Sequence, residues 1–293
     1  MIIQDNPMQI QYGNVSEKNA TPLVLFHDGG GTCFSYQLLG ELGRPVYGIQ
    51  NPRLQTMRPW TGGLKEMASV YAQLLFSLPW QQGFILGGWS FGGLLALEVA
   101  NILVHDLGIK VIGIIMIDTP CPLPPQQPDC RLVPLIPDLK ETHCPELRIA
   151  VRKSFQNSRK MAEGWFPSLP RRKSIALPEV GLETGTIFNE RRPSAPNIAA
   201  ELNVCSDTRT RTWIPTVLLR ATDQVLEGYT NKSRATVDAH REEFDLGWTK
   251  YGVDFPHRVL DISGHHFSIF HPDHINETTG AIREACYVIE GAV

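Results

Sequence analysis

Apolar positions along the chain alternate between short unbroken runs and longer stretches where they recur every three or four residues. The first run, Pro22 to Phe26, stops at His27-Asp28-Gly29-Gly30-Gly31 and reads as a buried strand ending in a glycine-rich turn. Residues 33–43 read as a helix and Pro45–Ile49 as a second strand. Leu64, Met67, Ala68, Tyr71, Leu74, Leu75 and Leu78 share one helical face. A third strand, Gly83 to Gly88, runs into Trp89-Ser90-Phe91-Gly92-Gly93 and a helix from about 94 to 107. Val111–Ile117 is a further strand, closed by Asp118-Thr119-Pro120. Strand and helix in steady alternation predict a parallel sheet with right-handed crossovers. Strands apolar on both faces predict helices covering each side.

The pattern breaks after Pro120. Seven prolines fall within 120–137, and 138–212 is polar and only weakly periodic. Residues 131–211 hold 14 Lys/Arg against 9 Asp/Glu, a local charge of +5 in a chain whose net charge is −3. Strand patterns return at 215–220 and 258–262, and a last helix is expected from Ile275 to about Val288. The organisation predicted is one α/β core, residues 1–120 and 213–293, interrupted by a lid insertion over 121–212. An insertion that long exceeds an ordinary connection.

Composition narrows the function. The 293 residues are 42% hydrophobic and 19% charged, which supplies a large core and excludes a disordered chain. A pI near 6.3 argues against general nucleic-acid binding. Six cysteines without a CxxC pair read as reduced thiols, neither a disulfide framework nor a zinc site. The start of the chain has no secretory pattern and no segment reaches the ~18 apolar residues of a membrane span, so the expectation is a cytoplasmic protein.

The chemistry concentrates at the strand ends. Gly88-Trp89-Ser90-Phe91-Gly92 matches G-x-S-x-G between a strand and a helix, the context in which a tight turn lifts a serine hydroxyl above the sheet edge. A serine needs a base, and the base an orienting carboxylate. The loop after the final strand, Ser263-Gly264-His265-His266-Phe267, offers two adjacent histidines. Asp118 and Asp223 each follow a strand opening onto the same edge, and the residues alone leave both histidines and both acids open. His271 and His274 have a metal-like spacing, but Pro272 between them breaks a shared helical face, and no metal is expected. The run His27 to Thr32 lacks a phosphate loop's lysine. It reads better as half of an oxyanion hole, with Phe91 and Gly29 as backbone N–H donors and Asp28 as the neighbour that could replace Gly29.

Taken together, LVLFHDGGGT, GGWSFGG, MIDTP and SGHHFSIF resemble the thioesterase domains that terminate polyketide synthases and nonribosomal peptide synthetases, a branch of the α/β-hydrolases. The likeness spans the core and is weak across 121–212. It implies a mostly parallel sheet with helices on both faces, and it selects Asp118 as the acid and His266 as the base for Ser90. It further implies release of an acyl chain from the phosphopantetheine of a separate acyl or peptidyl carrier protein, by hydrolysis or cyclisation, with no cofactor of its own. An editing thioesterase and a carboxylesterase are the alternatives. The chain departs from the family at Asp28, where a proline or small apolar residue is usual, which points to a structural or substrate-facing role; Trp89 is a second substrate-binding candidate. A start at Met1 favours a free-standing enzyme, and Arg171-Arg172-Lys173 with Arg191-Arg192 offer a docking surface for an acidic carrier.

Overall fold

The computed structural model describes residues 6–13, 20–76, 83–123, 130–136, 144–165, 214–226, 233–251 and 255–292. They belong to one compact unit built from Met1–Ser168 and Ile214–Val293. Its centre is a seven-stranded sheet. The strands in chain order are β1 (Met8–Tyr12), β2 (Leu23–Phe26), β3 (Pro45–Ile49), β4 (Phe84–Trp89), β5 (Val111–Ile117), β7 (Thr216–Asp223) and β9 (Arg258–His265). Across the sheet they run β1-β3-β2-β4-β5-β7-β9. All neighbours are parallel except β1, which pairs antiparallel with β3. A separate parallel pair joins β6 (Arg131–Val133) to β8 (Ser233–Ala235).

The central strands are buried along their whole length: every residue of β2, β4 and β5 is inside. That is why they carry unbroken apolar runs, each large side chain contributing about 1.5–3 kcal/mol by leaving water. The helices α1 (Gly63–Phe76), α2 (Phe91–His105) and α4 (Ile275–Gly291) supply the covering layers. Among them α1 buries Leu64, Met67, Ala68, Tyr71 and Leu75, the face its spacing predicts.

Two expectations are corrected. Residues 33–43 do not form a helix: only a 3₁₀ turn, Phe34–Leu38, appears before Leu39 extends and Gly43 takes φ 72°. Within the stretch expected to be weakly periodic lies a 19-residue helix, α3 (Pro145–Glu163), packed on α1 and α2. Its inner face is made of Ala150, Val151, Ser154 and Ser158, small residues that an apolar periodicity does not register. Residues 166–213, with Arg171, Arg172, Lys173, Arg191 and Arg192, lie outside the described residues. Trp165, at the end of α3, is buried and donates its indole N–H to Glu98 on α2 at 3.0 Å. None of the described helices is long and apolar enough to cross a membrane.

The chain moves from β2 outward to β3 and then returns to the other side of β2 for β4. That reversal opens a crevice at the carboxyl ends of β2 and β4, where α/β sheets carry their sites. The loop from His27 and the Ser90 turn both leave the sheet there.

Candidate active site

Four strand ends meet at this crevice. Ser90 follows β4, Asp118 follows β5, His266 follows β9, and the glycine loop follows β2. Ser90 sits at φ 57°, ψ −116°, a conformation sparsely populated by a non-glycine residue, and so does Asp118 at φ 40°. Backbone bonds to the next strand hold both: Ser90 N–H donates to the Ile117 carbonyl at 2.8 Å, and Asp118 N–H to the Leu219 carbonyl at 2.7 Å. The turn closes so tightly that a Cβ on Gly88 would stand 2.5 Å from the Gly92 carbonyl carbon. A Cβ on Gly92 would stand 2.5 Å from the Phe26 oxygen. Glycine at both places lets α2 start directly against β2, behind the serine.

The side chains then fall into a hydrogen-bonded line. His266 Nε2 lies 3.0 Å from Ser90 Oγ, and His266 Nδ1 lies 2.7 Å from Asp118 Oδ2. Asp118 and His266 are buried, while Ser90 is partly open. A carboxylate only accepts, so Nδ1 carries a proton, and a neutral ring then presents Nε2 as the acceptor for the serine hydroxyl. His265, one residue earlier, instead accepts from Phe267 N–H within its own loop. Asp223 is exposed and bonded by the Thr222 hydroxyl. The geometry therefore brings Asp118 and His266, not Asp223 and His265, to the serine.

Asp118 has a partner that the sequence pattern does not announce. Arg241 grips it with both terminal nitrogens, at 2.7 Å to Oδ1 and 2.9 Å to Oδ2. Arg241 also donates through Nε to Asp238 at 3.0 Å and through Nη1 to the Ala221 carbonyl at 2.6 Å. Burial alone drives the Asp118 carboxyl upward, but the charge and hydrogen bonds of Arg241, joined by those of His266, hold it below the usual carboxylate range. Burial likewise works against the Arg241 charge, and Asp118 and Asp238 more than compensate. The segment carrying Arg241 is tied to the acid's own loop, with Trp248 Nε1 donating to the Thr119 carbonyl at 2.7 Å. No motif marks Arg241 because it lies 123 residues from Asp118 in the chain.

The glycine loop is braced from below. His27 is fully buried, and burial pushes its imidazole down to about 4, so the ring is neutral at pH 7. Its Nδ1–H donates to the Asp28 carbonyl at 2.6 Å, and its Nε2 accepts from the Tyr71 hydroxyl at 2.7 Å. The same carbonyl accepts from Gly31 N–H at 3.1 Å. In a planar trans peptide the Gly29 N–H points opposite to that carbonyl, away from these partners. Phe91 is the first residue of α2, so its N–H has no carbonyl one turn back to bond. Tyr36 joins the two strand ends, donating to the Phe26 carbonyl at 2.7 Å and accepting from Trp89 N–H at 2.8 Å.

Asp28 folds back on its loop, with Oδ1 accepting from Gly30 N–H at 2.9 Å. Burial pushes its carboxyl up to about 7, against the opposing pull of backbone hydrogen bonds. Trp89 is buried, its ring 5.1 Å from that of Phe270 and 5.5 Å from the His266 imidazole, so it backs the histidine from the core. His274 bonds Ser263 through Nδ1 at 2.9 Å, and no metal-binding cluster occurs among the described residues.

Residues 21–163 match the thioesterase domain family. The chain is 33% identical over 292 residues to the probable thioesterase gloN of Glarea lozoyensis, covering 97% of this chain and 98% of that one. This chain belongs to the thioesterase family. It is also 30% identical over 288 residues to part of the nonribosomal peptide synthetase imqB of Aspergillus flavus, a match covering 97% of this chain and 8% of the synthetase. Among solved structures it is similar to the NocB thioesterase domain in covalent complex with a fluorophosphonate nocardicin G analog. That likeness has a TM-score of 0.57 at 20% identity, over 92% of this chain and 96% of the other, and it bears on the fold. The thioesterase is accordingly a hydrolase of the α/β-hydrolase fold.

One consequence of the tight turn is testable. In this thioesterase Gly92→Ala sets a methyl group 2.5 Å from a strand carbonyl, and backbone on both sides has no free end to swing aside. The expected result is a loss of about 1–3 kcal/mol in urea unfolding and about a 100-fold fall in kcat through a displaced serine. Wild-type values in both assays would show that α2 shifts without cost.

Proposed function

We propose that this thioesterase releases a polyketide or peptide-polyketide acyl chain from the phosphopantetheine thioester of a carrier protein, through an acyl-Ser90 intermediate. The observation that carries the reading is the bonded line from Ser90 Oγ through His266 to Asp118, at 3.0 and 2.7 Å. The carrier context draws support from the match to part of a peptide synthetase.

In the first half-reaction His266 Nε2 takes the Ser90 proton as Oγ attacks the thioester carbonyl. The oxyanion is met by the Phe91 and Gly29 N–H groups, donors of a kind worth about 3–4 kcal/mol each. His266 passes the proton to the departing thiolate, and the pantetheine thiol leaves. In the second half-reaction His266 deprotonates water, or a nucleophile within the acyl chain, for attack on the Ser90 ester, then returns that proton to Ser90 Oγ as the acyl–oxygen bond breaks. Hydrolysis yields the free acid and internal attack yields a ring. Asp118 holds the imidazole in the required tautomer and offsets the imidazolium charge. The protein itself supplies side chains and backbone N–H groups, and the only prosthetic group is the carrier's.

The test is thiol release from an acyl-pantetheine thioester beside its matched oxygen ester, with product masses to separate acid from ring. Faster thioester cleavage is expected. Cleavage of the oxygen ester alone would assign a carboxylesterase, and slow, indiscriminate release across acyl chains would assign an editing enzyme.

A further inference from the structure

Between the loop 51–60, α1 and the inner face of α3 lies a small recess, open to solvent on one side, with a cavity volume of about 10 Å³, room for one water-sized oxygen. Neither Ser90, Asp118 nor His266 lines it. It adjoins the glycine loop: Ser158 Oγ donates to the Gly29 carbonyl at 3.1 Å, and a Cβ on Gly31 would lie 2.8 Å from Ser154 Oγ.

Its lining is rich in donors. Trp60 and Ser154 are 7% and 5% exposed, and Trp60 Nε1 and Ser154 Oγ have no hydrogen-bond partner among the described residues. An indole N–H only donates, and an unmet buried donor costs about 1–3 kcal/mol. Arg53 stacks on the Trp60 ring, 3.7 Å from its centroid, and is paired with Glu66 at 2.7 Å. Arg58 and Lys153 also line the cavity, and neither ion-pairs with a described residue. Two buried donors without partners thus belong to residues lining one recess, two exposed cations line it as well, and the nearby carboxylate, Glu66, is already paired with Arg53.

We propose that this cavity is an anion subsite that takes a phosphate or carboxylate oxygen of the substrate, with Trp60 Nε1–H and Ser154 Oγ–H donating to it and Arg58 and Lys153 supplying charge. The proposal rests on the carrier-bound acyl reading, which offers two sources of such an oxygen: the phosphodiester of the phosphopantetheine arm and a carboxylate on the acyl chain. Ser158, on the same face of α3 as Ser154, bonds the Gly29 carbonyl, so the subsite and the oxyanion loop share a support.

The experiment follows the indole N–H resonances of the ¹⁵N-labelled full chain, with Trp60 identified by its absence in Trp60→Phe. Phosphopantetheine, pantetheine and glutarate are titrated separately. A saturable shift of the Trp60 signal with phosphopantetheine and none with pantetheine is expected, weakened about tenfold or more in Lys153→Gln and in Ser154→Ala. A shift with glutarate alone names the acyl carboxylate as the source. No shift with any of the three, or equal shifts with phosphopantetheine and pantetheine, overturns the subsite and leaves a structural water as the donors' partner. In parallel, the kcat/KM ratio of acyl-phosphopantetheine to acyl-pantetheine should collapse toward unity in Lys153→Gln. Absence of thiol release from every thioester would sink the proposed function, while the titration still decides the subsite.

Discussion

Ser90→Ala is expected to fold as the wild type does and to lose thiol release by a factor on the order of 10⁴ or more. The alanine keeps the Cβ, so the strained turn at φ 57° and the Ser90 N–H bond to Ile117 persist while the nucleophilic oxygen is gone. His266 would remain bonded to Asp118 through Nδ1. The measurement is single-turnover thiol release together with intact-protein mass spectrometry. Wild-type protein should carry the acyl group and Ser90→Ala should not. Retained turnover in the alanine variant would remove Ser90 from the mechanism and leave direct attack by water.

Arg241→Met is expected to cost about 3–5 kcal/mol of stability. The substitution strips the cation from between two buried carboxylates, Asp118 and Asp238, which Arg241 bonds at 2.7 and 3.0 Å. Methionine fills much of the volume but meets none of the charge. Arg241→Lys should recover part of the loss, since a point charge replaces the fork without its paired geometry. The sign with pH follows from Asp118. Its carboxyl is depressed in the folded state, so its contribution is present above the unfolded value of about 3.9 and fades as pH falls below that. Removing Arg241 relaxes that depression, so acid unfolding should begin at higher pH. Kinetics give a second readout. Asp118 no longer neutralised by a guanidinium favours the imidazolium more strongly, which moves the acid limb of the kcat/KM profile to higher pH. Denaturation midpoints and pH–rate profiles for wild type, Arg241→Met and Arg241→Lys check both, and coincident curves would reduce Arg241 to a surface-like contact.

These two residues differ in how far the sequence announces them. Ser90 lies within a five-residue motif whose glycines answer to backbone contacts only a few positions away or in the adjacent strand. Asp118 and His266 were legible as strand-end residues once family resemblance chose between neighbours; in the structure, the choice corresponds to side-chain direction at the ends of β5 and β9. Arg241 and Tyr36 carry no such mark, because each acts through bonds to residues distant in the chain from an otherwise irregular segment. The helix α3 was hidden for a different reason: Ser154 and Ser158 are buried for their small size, which lets α3 press against the glycine loop.

By itself the sequence determined the alternation of strand and helix, the buried parallel centre and the glycine-bounded serine, since these follow from periodicity and from local sterics. Tertiary structure supplied the geometry that brings Asp118 and His266 to Ser90, where periodicity and spacing left two acids and two histidines open, and it alone revealed the cation that grips Asp118 and the idle donors beside the glycine loop. Those depend on distances between residues far apart in the chain, and only the register of neighbouring strands and the packing of helices upon them can set such distances.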